Sequence, residues 1–181
     1  FVQPNSLPFN ILPNVAKASS TKSALMRKFY RHLHDQLKPD GIIISADLFG
    51  MTTTNDDDLG IGQKLESALT YFDYVCPMVY PSHYPPQFHG WPNPNLVPGQ
   101  VVQFSMSRAV ERALAASTTP HTTFGFVTPR QLRPWLQDFD YGGNYGETEV
   151  RAQKQAVYDV GLTSWLLWDP SVKYTPSALD K

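Results

Sequence analysis

Four times along the chain, a stretch with apolar residues at helical spacing is followed by a short, nearly continuous apolar run. The first stretch carries Leu25, Phe29, Leu33 and Leu37 at every fourth position, with Ser20 or Thr21 placed to cap it and Pro39 and Gly41 to close it. Gly41-Ile-Ile-Ile-Ser-Ala-Asp47 comes next. Three β-branched residues in succession leave neither face polar, which predicts a strand over 42–47 buried on both sides, as in parallel sheets flanked by helices. Leu65 and Leu69 mark the inward side of a short helix over 62–70, and Tyr74-Val-Cys-Pro-Met-Val-Tyr80 is the second strand. Met106, Val110 and Leu114 share a face of a third helix capped by Ser105 and broken at Ser117-Thr-Thr-Pro120. After a short piece at 124–127, Leu132 to Phe139 reads as the third strand. Glu147 to Val160 reads as a fourth helix with acids in its first turn, and Leu162 to Trp168 as a fourth strand after Gly161. Residues 1–19, with Pro4, Pro8 and Pro13, and the tail beyond Asp169 read as loop.

Helix–strand units repeated in this way predict an α/β fold: part of a (β/α)8 barrel, or a small open parallel sheet. Both architectures collect their chemistry at the C-terminal ends of the strands. Asp47 ends the first strand; Tyr80, His83 and Tyr84 follow the second; Asp138 is near the end of the third and Trp168 closes the fourth. Asp73 precedes the second strand, at the opposite end of the sheet, and is set aside. The loop from 81 to about 103 holds six prolines together with Phe88 and Trp91. Loops of this length usually carry function. This one is expected to fold over the site and present His83, Tyr84 or Trp91 to a ligand.

Composition narrows the partners. Charged residues make up 17% of the chain, against about 25% in an average domain, and the net charge is −1 without long blocks of either sign. Neither a nucleic acid nor an anionic membrane would be held by such a surface. No apolar stretch reaches the roughly 20 residues of a membrane span. Cys76, the single cysteine, lies in an apolar run and reads as a buried thiol. Asp56, Asp57 and Asp58 do not follow the spacing of a calcium loop, and His83 with His89 lacks a third ligand at metal spacing, so no metal and no cofactor is expected. No Gly-x-Ser-x-Gly elbow supports serine chemistry. Aromatic residues reach 13%, which suits a binding face.

Four stretches carry a resemblance. They are Ser45-Ala-Asp-Leu-Phe-Gly-Met-Thr-Thr53, Asp73-Tyr-Val-Cys-Pro-Met-Val-Tyr-Pro-Ser-His-Tyr84, Arg133-Pro-Trp-Leu-Gln-Asp-Phe139 and Gly161-Leu-Thr-Ser-Trp-Leu-Leu-Trp-Asp169. Together, in this order, they resemble the DUF4015 glycoside hydrolase family, over about residues 24–170. The family is similar to TIM-barrel glycosidases, and the resemblance implies a carbohydrate substrate, with action on polysaccharide. Members have a first half-barrel ending in a strand that reads Phe-Asp-Tyr-Val-Arg-Phe-Pro and carries an expected catalytic Asp. That motif is absent here, so the resemblance covers the C-terminal half of a barrel, strands five to eight. It implies that an N-terminal half-barrel is needed for turnover, and that residues 1–181 alone associate or unfold easily. Polysaccharide action implies an extracellular or cell-envelope setting, although the chain itself leaves the compartment open.

Glycoside hydrolysis needs two carboxyl groups flanking one bond, about 5–5.5 Å apart for retention and about 6.5–9.5 Å for inversion. Asp47 is the expected acid/base or sugar-hydroxyl ligand, and Asp138 its partner. Tyr80, His83, Tyr84 and Trp91 fit sugar binding, with aromatic faces for pyranose C–H groups and polar tips for hydroxyls. Trp168 fits a platform at the base of the site, while Trp135, inside its strand, reads as core. A non-catalytic carbohydrate-binding half-barrel would use the same aromatic face. Replacing Asp47 separates the two readings, since a binder keeps its affinity and an enzyme loses turnover.

Overall fold

A computed structural model of the chain describes residues 15–117 and 127–179, with side chains from residue 21 onward. Within them, four helices and four strands alternate: α1 (Val15–Leu37), β1 (Ser45–Phe49), α2 (Leu65–Tyr71), β2 (Tyr74–Met78), α3 (Pro98–Ser117), β3 (Trp135–Gln137), α4 (Glu147–Asp159) and β4 (Leu166–Trp168). The strands form one sheet in the order β1-β2-β3-β4, every neighbouring pair parallel. That order never reverses. Right-handed crossovers therefore put successive helices on the same side of the sheet, and the α/β prediction holds.

Strand alternation divides the side chains cleanly. Leu48, Val75 and Leu136 point to the helices and are fully buried, together with Leu65 and Leu69 of α2 and Val101, Val102 and Met106 of α3. Each such side chain contributes roughly 1.5–3 kcal/mol through burial. Ser45, Asp47 and Phe49 share the opposite face, opposite Tyr74, Cys76 and Met78 in register. No helix lies on that face among the described residues.

Several boundaries and faces differ from the sequence reading. Helix α1 begins at Val15, so residues 15–19 are helical rather than loop, and neither Ser20 nor Thr21 caps it. Its inward side is Met26, Tyr30, Leu33 and Leu37, with Tyr30 edge-on to Phe72 at 5.1 Å. Leu25 and Phe29 are exposed. A strict four-residue step turns 40° past a full revolution each time, so the expected stripe winds off the buried face within two turns. Strand β1 starts three residues later than expected, and Ile43, 70% exposed, is not buried on either side. It precedes the first ladder pair of β1, which has a neighbouring strand on one side only among the described residues. Helix α3 begins at Pro98, where proline's fixed φ suits a first turn; Ser105 is inside it and fully buried, and Leu114 is exposed. Strands β3 and β4 are three residues each, shorter than expected. The loop expected over 1–14, the break at 118–120 and the piece at 124–126 lie outside the described residues.

Two polar fixtures hold the ends of the sheet. At the N-terminal end, Lys38 donates to both oxygens of Asp73 at 2.8 and 3.0 Å, and the Ile44 amide donates to the same carboxylate at 2.8 Å. This is a structural role, as the position of Asp73 implied. At the other end Arg112 of α3 reaches under the loop after β1, donating to Glu66 in a two-pronged pair and to the carbonyls of Thr52, Thr53 and Asn55. Gly50 opens that loop with no room for a side chain, since a Cβ would lie 2.3 Å from the Met78 carbonyl oxygen. Asp57 and Asp58 accept the amides of Leu59 and Gly60, which is turn chemistry.

Candidate active site

The inner face of the sheet brings Asp47, Trp135 and Trp168 together. Trp135 and Gln137 share a face of β3, and the register sets Gln137 beside Trp168. The Trp135 indole crosses β2 and donates Nε1–H to Asp47 Oδ1 at 2.9 Å. Trp168 stands edge-on to Trp135, ring centres 6.0 Å apart, and is 42% exposed. Oδ2 of Asp47 has no hydrogen-bond partner among the described residues, and Asp47 is solvent-exposed. The result is a carboxylate fixed at one oxygen, open at the other, beside an indole platform. Trp135 thus stands on the candidate site's face of the sheet rather than in the core; its period-two alternation with Leu136 and Gln137 was the signal that could have found it.

Asp47 also acts on its neighbours. Burial, and then the Asp47 charge, pushes the Cys76 thiol up to about 11. The same two causes in the same order, with a contribution from Tyr174, raise the Tyr80 hydroxyl well above its ordinary value. Tyr80 therefore stays a neutral phenol. Its buried ring is edge-on to both His83, at 5.3 Å, and Phe139, at 5.6 Å.

Beyond the C-terminal ends of β2–β4 this ring chain opens into a cleft of about 490 Å³, walled by His83, the 138–141 segment, Tyr145 and the 169–175 segment. Two buried glutamines shape it. The Gln153 side-chain amide pairs with the backbone of Gln137, accepting from its N–H at 3.0 Å and donating to its carbonyl at 2.9 Å. The Gln137 side chain in turn accepts from the Ser82 amide and donates to the Phe139 carbonyl, tying the loop after β2 to the loop after β3. Burial pushes His83 below its usual range, so it is a neutral imidazole there at neutral pH.

Not every expected residue stands at this site. Asp138 lines the cleft but is 3% exposed, and its two oxygens accept from the Thr175 amide and hydroxyl, each at 2.7 Å. Through these two bonds it anchors the 169–175 segment. Tyr84 is in the core: its hydroxyl bonds Ser105 at 3.0 Å, burial pushes it up to about 12, and its ring packs on Phe88 at 4.6 Å. Trp91 belongs to the same plug, 6.1 Å from Phe88 and 6.2 Å from Phe104 of α3. The loop from 81 onward therefore packs down on α3 through its aromatic residues instead of covering the site, and only its His83 end reaches the cleft. Tyr84, Phe88 and Trp91, each three or four residues apart, would have marked that plug. No group of three or more His, Cys, Asp or Glu side chains suited to a metal occurs among the described residues.

Comparison with known proteins bears on family and fold. The DUF4015 family model, described as "Putative glycosyl hydrolase domain", matches residues 8–174. The chain belongs to the DUF4015 family. Among solved structures, the glycoside hydrolase domain of PgaB (BpsB) from Bordetella bronchiseptica is similar, with a TM-score of 0.60 and 17% identity. The match covers 86% of this chain and 39% of that one, so this DUF4015 chain spans about two fifths of its structural neighbour. At that identity the likeness is one of fold. No curated protein matches the chain. None of the described helices is long and apolar enough to cross a membrane.

Proposed function

We propose that this DUF4015 chain forms the C-terminal half of a (β/α)8 glycosidase barrel, and that Asp47 is the acid/base, or the ligand to the reacting sugar, at its inner face. One observation carries the reading: Trp135 N–H occupies a single oxygen of Asp47 and leaves the other free, and the same indole stands edge-on to the partly exposed Trp168. Most glycosidases use a pair of carboxyl groups within reach of the bound sugar. Membership of a glycosyl hydrolase family supports the same reaction class. Tyr80 and His83 line the path from this floor to the cleft, and Asp138 holds the far wall. The second carboxyl group comes from the half-barrel that pairs with the open edges of β1 and β4. Monotonic strand order, a helix-free inner face and exposed Ile42 and Ile43 at the β1 edge support that completion.

The test is release of reducing ends from polysaccharides by the protein that carries residues 1–181, compared with its Asp47→Asn variant. Turnover is expected to fall by a factor of about 10²–10⁴ while saccharide affinity is retained. Hydrolysis at the wild-type rate in Asp47→Asn would remove Asp47 from the reaction.

A further inference from the structure

The inner face of the sheet carries a cation that meets no carboxylate. Val75 bridges Leu132 and Met78 pairs with Trp135, so the same register sets Arg133 opposite Cys76, which is itself opposite Asp47. Arg133 therefore shares a face with Asp47 two strands away, about 10 Å apart at the backbone. Its guanidinium carbon lies 3.9 Å from the centre of the Tyr74 ring. Stacking of this kind fixes the guanidinium plane and leaves its edge for another partner. Arg133 has no ion pair and no side-chain hydrogen bond among the described residues. Its Nε is buried against the sheet, whereas Nη1 and Nη2 are not. The titratable side chains facing it are Tyr74 and Cys76 of β2 and Asp47 of β1, while β4 sets only uncharged Leu166, Leu167 and Trp168 beside β3. At the Cys76 thiol the Arg133 charge opposes burial and the Asp47 charge, the two causes that push that group up.

We propose that Arg133 is the docking cation of this face, and that the half-barrel closing the sheet brings an Asp or Glu carboxylate to its Nη1 and Nη2 edge. The proposal rests on the barrel reading above and names the chemistry of the partner in it. Covering the face takes the guanidinium out of water, and without a counter-charge the lost hydration exceeds what stacking on Tyr74 returns. An apolar or basic side chain opposite Arg133 is thereby disfavoured, and a carboxylate matches the planar fork with two parallel hydrogen bonds. Tyr74 is the first residue of β2, so the stack draws the guanidinium toward the N-terminal ends of the strands. Barrel enzymes take substrate at the opposite ends. The anion is therefore supplied by the protein and not by a sugar. One such pair also sets the register between the halves, and with it the level at which the second carboxyl group meets Asp47.

Urea unfolding of the protein that carries residues 1–181 tests this, with Asp47→Asn as the background so that only the unknown carboxylate titrates against Arg133. Arg133→Met is expected to lower the folding equilibrium constant at least about tenfold at pH 7. A carboxylate held low by Arg133 stabilises the fold above the ordinary carboxylate range, and that contribution is lost as pH falls through its lowered folded value. The difference between Arg133→Met and its background should therefore shrink at least about fivefold by pH 3. Arg133→Lys, which keeps the charge and loses the fork, should show the same pH dependence at reduced size. A difference that does not vary with pH, or Met and Lys variants that behave alike, overturns the pair. So does a loss of oligogalacturonate affinity of about tenfold in Arg133→Met with stability unchanged, which would give Arg133 to the substrate. Hydrogen exchange along β1 and β4 in the same protein separates this inference from the barrel reading. Protected edges with no pH-dependent difference remove the Arg133 pair alone, whereas unprotected edges remove the half-barrel and the pair with it.

Discussion

The two faces of the sheet are made by the same few residues and do opposite things. Toward the helices stand Leu48, Val75 and Leu136, none more than 1% exposed. Toward the other side stand Asp47, Trp135 and Trp168, reachable by solvent and tied by one indole hydrogen bond. Core packing occupies the first face and the proposed chemistry the second, separated by a single residue along each strand. A substitution's position in the alternation should therefore decide whether it changes folding or function.

The sharpest way to break that comparison is Leu136→Ala. It deletes a fully buried side chain from the helix face and is expected to lower unfolding free energy by about 2–5 kcal/mol in urea titration. A loss below about 1 kcal/mol would mean that the helix face is not where the fold is held. Arg112→Ala comes next, about 1–3 kcal/mol in the same titration, because it strands three carbonyls and the partly exposed Glu66 beneath the loop after β1. Gly50→Ala is expected to cost a similar 1–3 kcal/mol, roughly, because the new methyl meets the Met78 backbone and not a movable side chain. Trp135→Phe, on the inner face, should change stability by less than about 1 kcal/mol yet free Asp47. A shift of the remaining indole NMR signals without a shift of the urea midpoint would sharpen the contrast.

The smallest effect expected is one of pH. Burial works to raise the Asp73 carboxyl, but the Lys38 and Ile44 hydrogen bonds outweigh it and hold the group below its ordinary value. The unfolded chain then takes up the Asp73 proton at higher pH than the folded one. The stabilisation is present above the ordinary carboxylate range and is lost as pH falls through the lowered folded value. Lys38→Met should flatten this acid limb, a small change because the pair is about one-third exposed. An unchanged acid limb would assign it to other carboxylates.

Much of this contrast was legible in the chain. Helical spacing located Leu65 and Leu69, and the α-then-β repetition implied a parallel sheet with its acids at one end. Ile42 and Ile43 misled because composition reports that a residue prefers burial, whereas topology decides whether anything is there to cover it; at an edge strand nothing described is. Tyr84 and Trp91 misled for the inverse reason, since a proline-rich aromatic loop can bury its rings against its own helix. Trp135 was hidden by its place within a strand, because a strand interior has two sides and only one of them is core. Tyr145 stood in a glycine-rich loop whose path no periodicity predicts.

Cys76, the chain's single cysteine, sits opposite Asp47 in the ladder, 2% exposed, its thiol pushed up to about 11. At neutral pH on the order of one molecule in ten thousand carries the reactive thiolate. Alkylation of the native protein is then a clock that ticks only when the inner face loosens. Its rate, followed by mass spectrometry without any engineered label, should slow whenever another half-barrel or a sugar chain covers that face, and quicken when Trp135 no longer tethers Asp47.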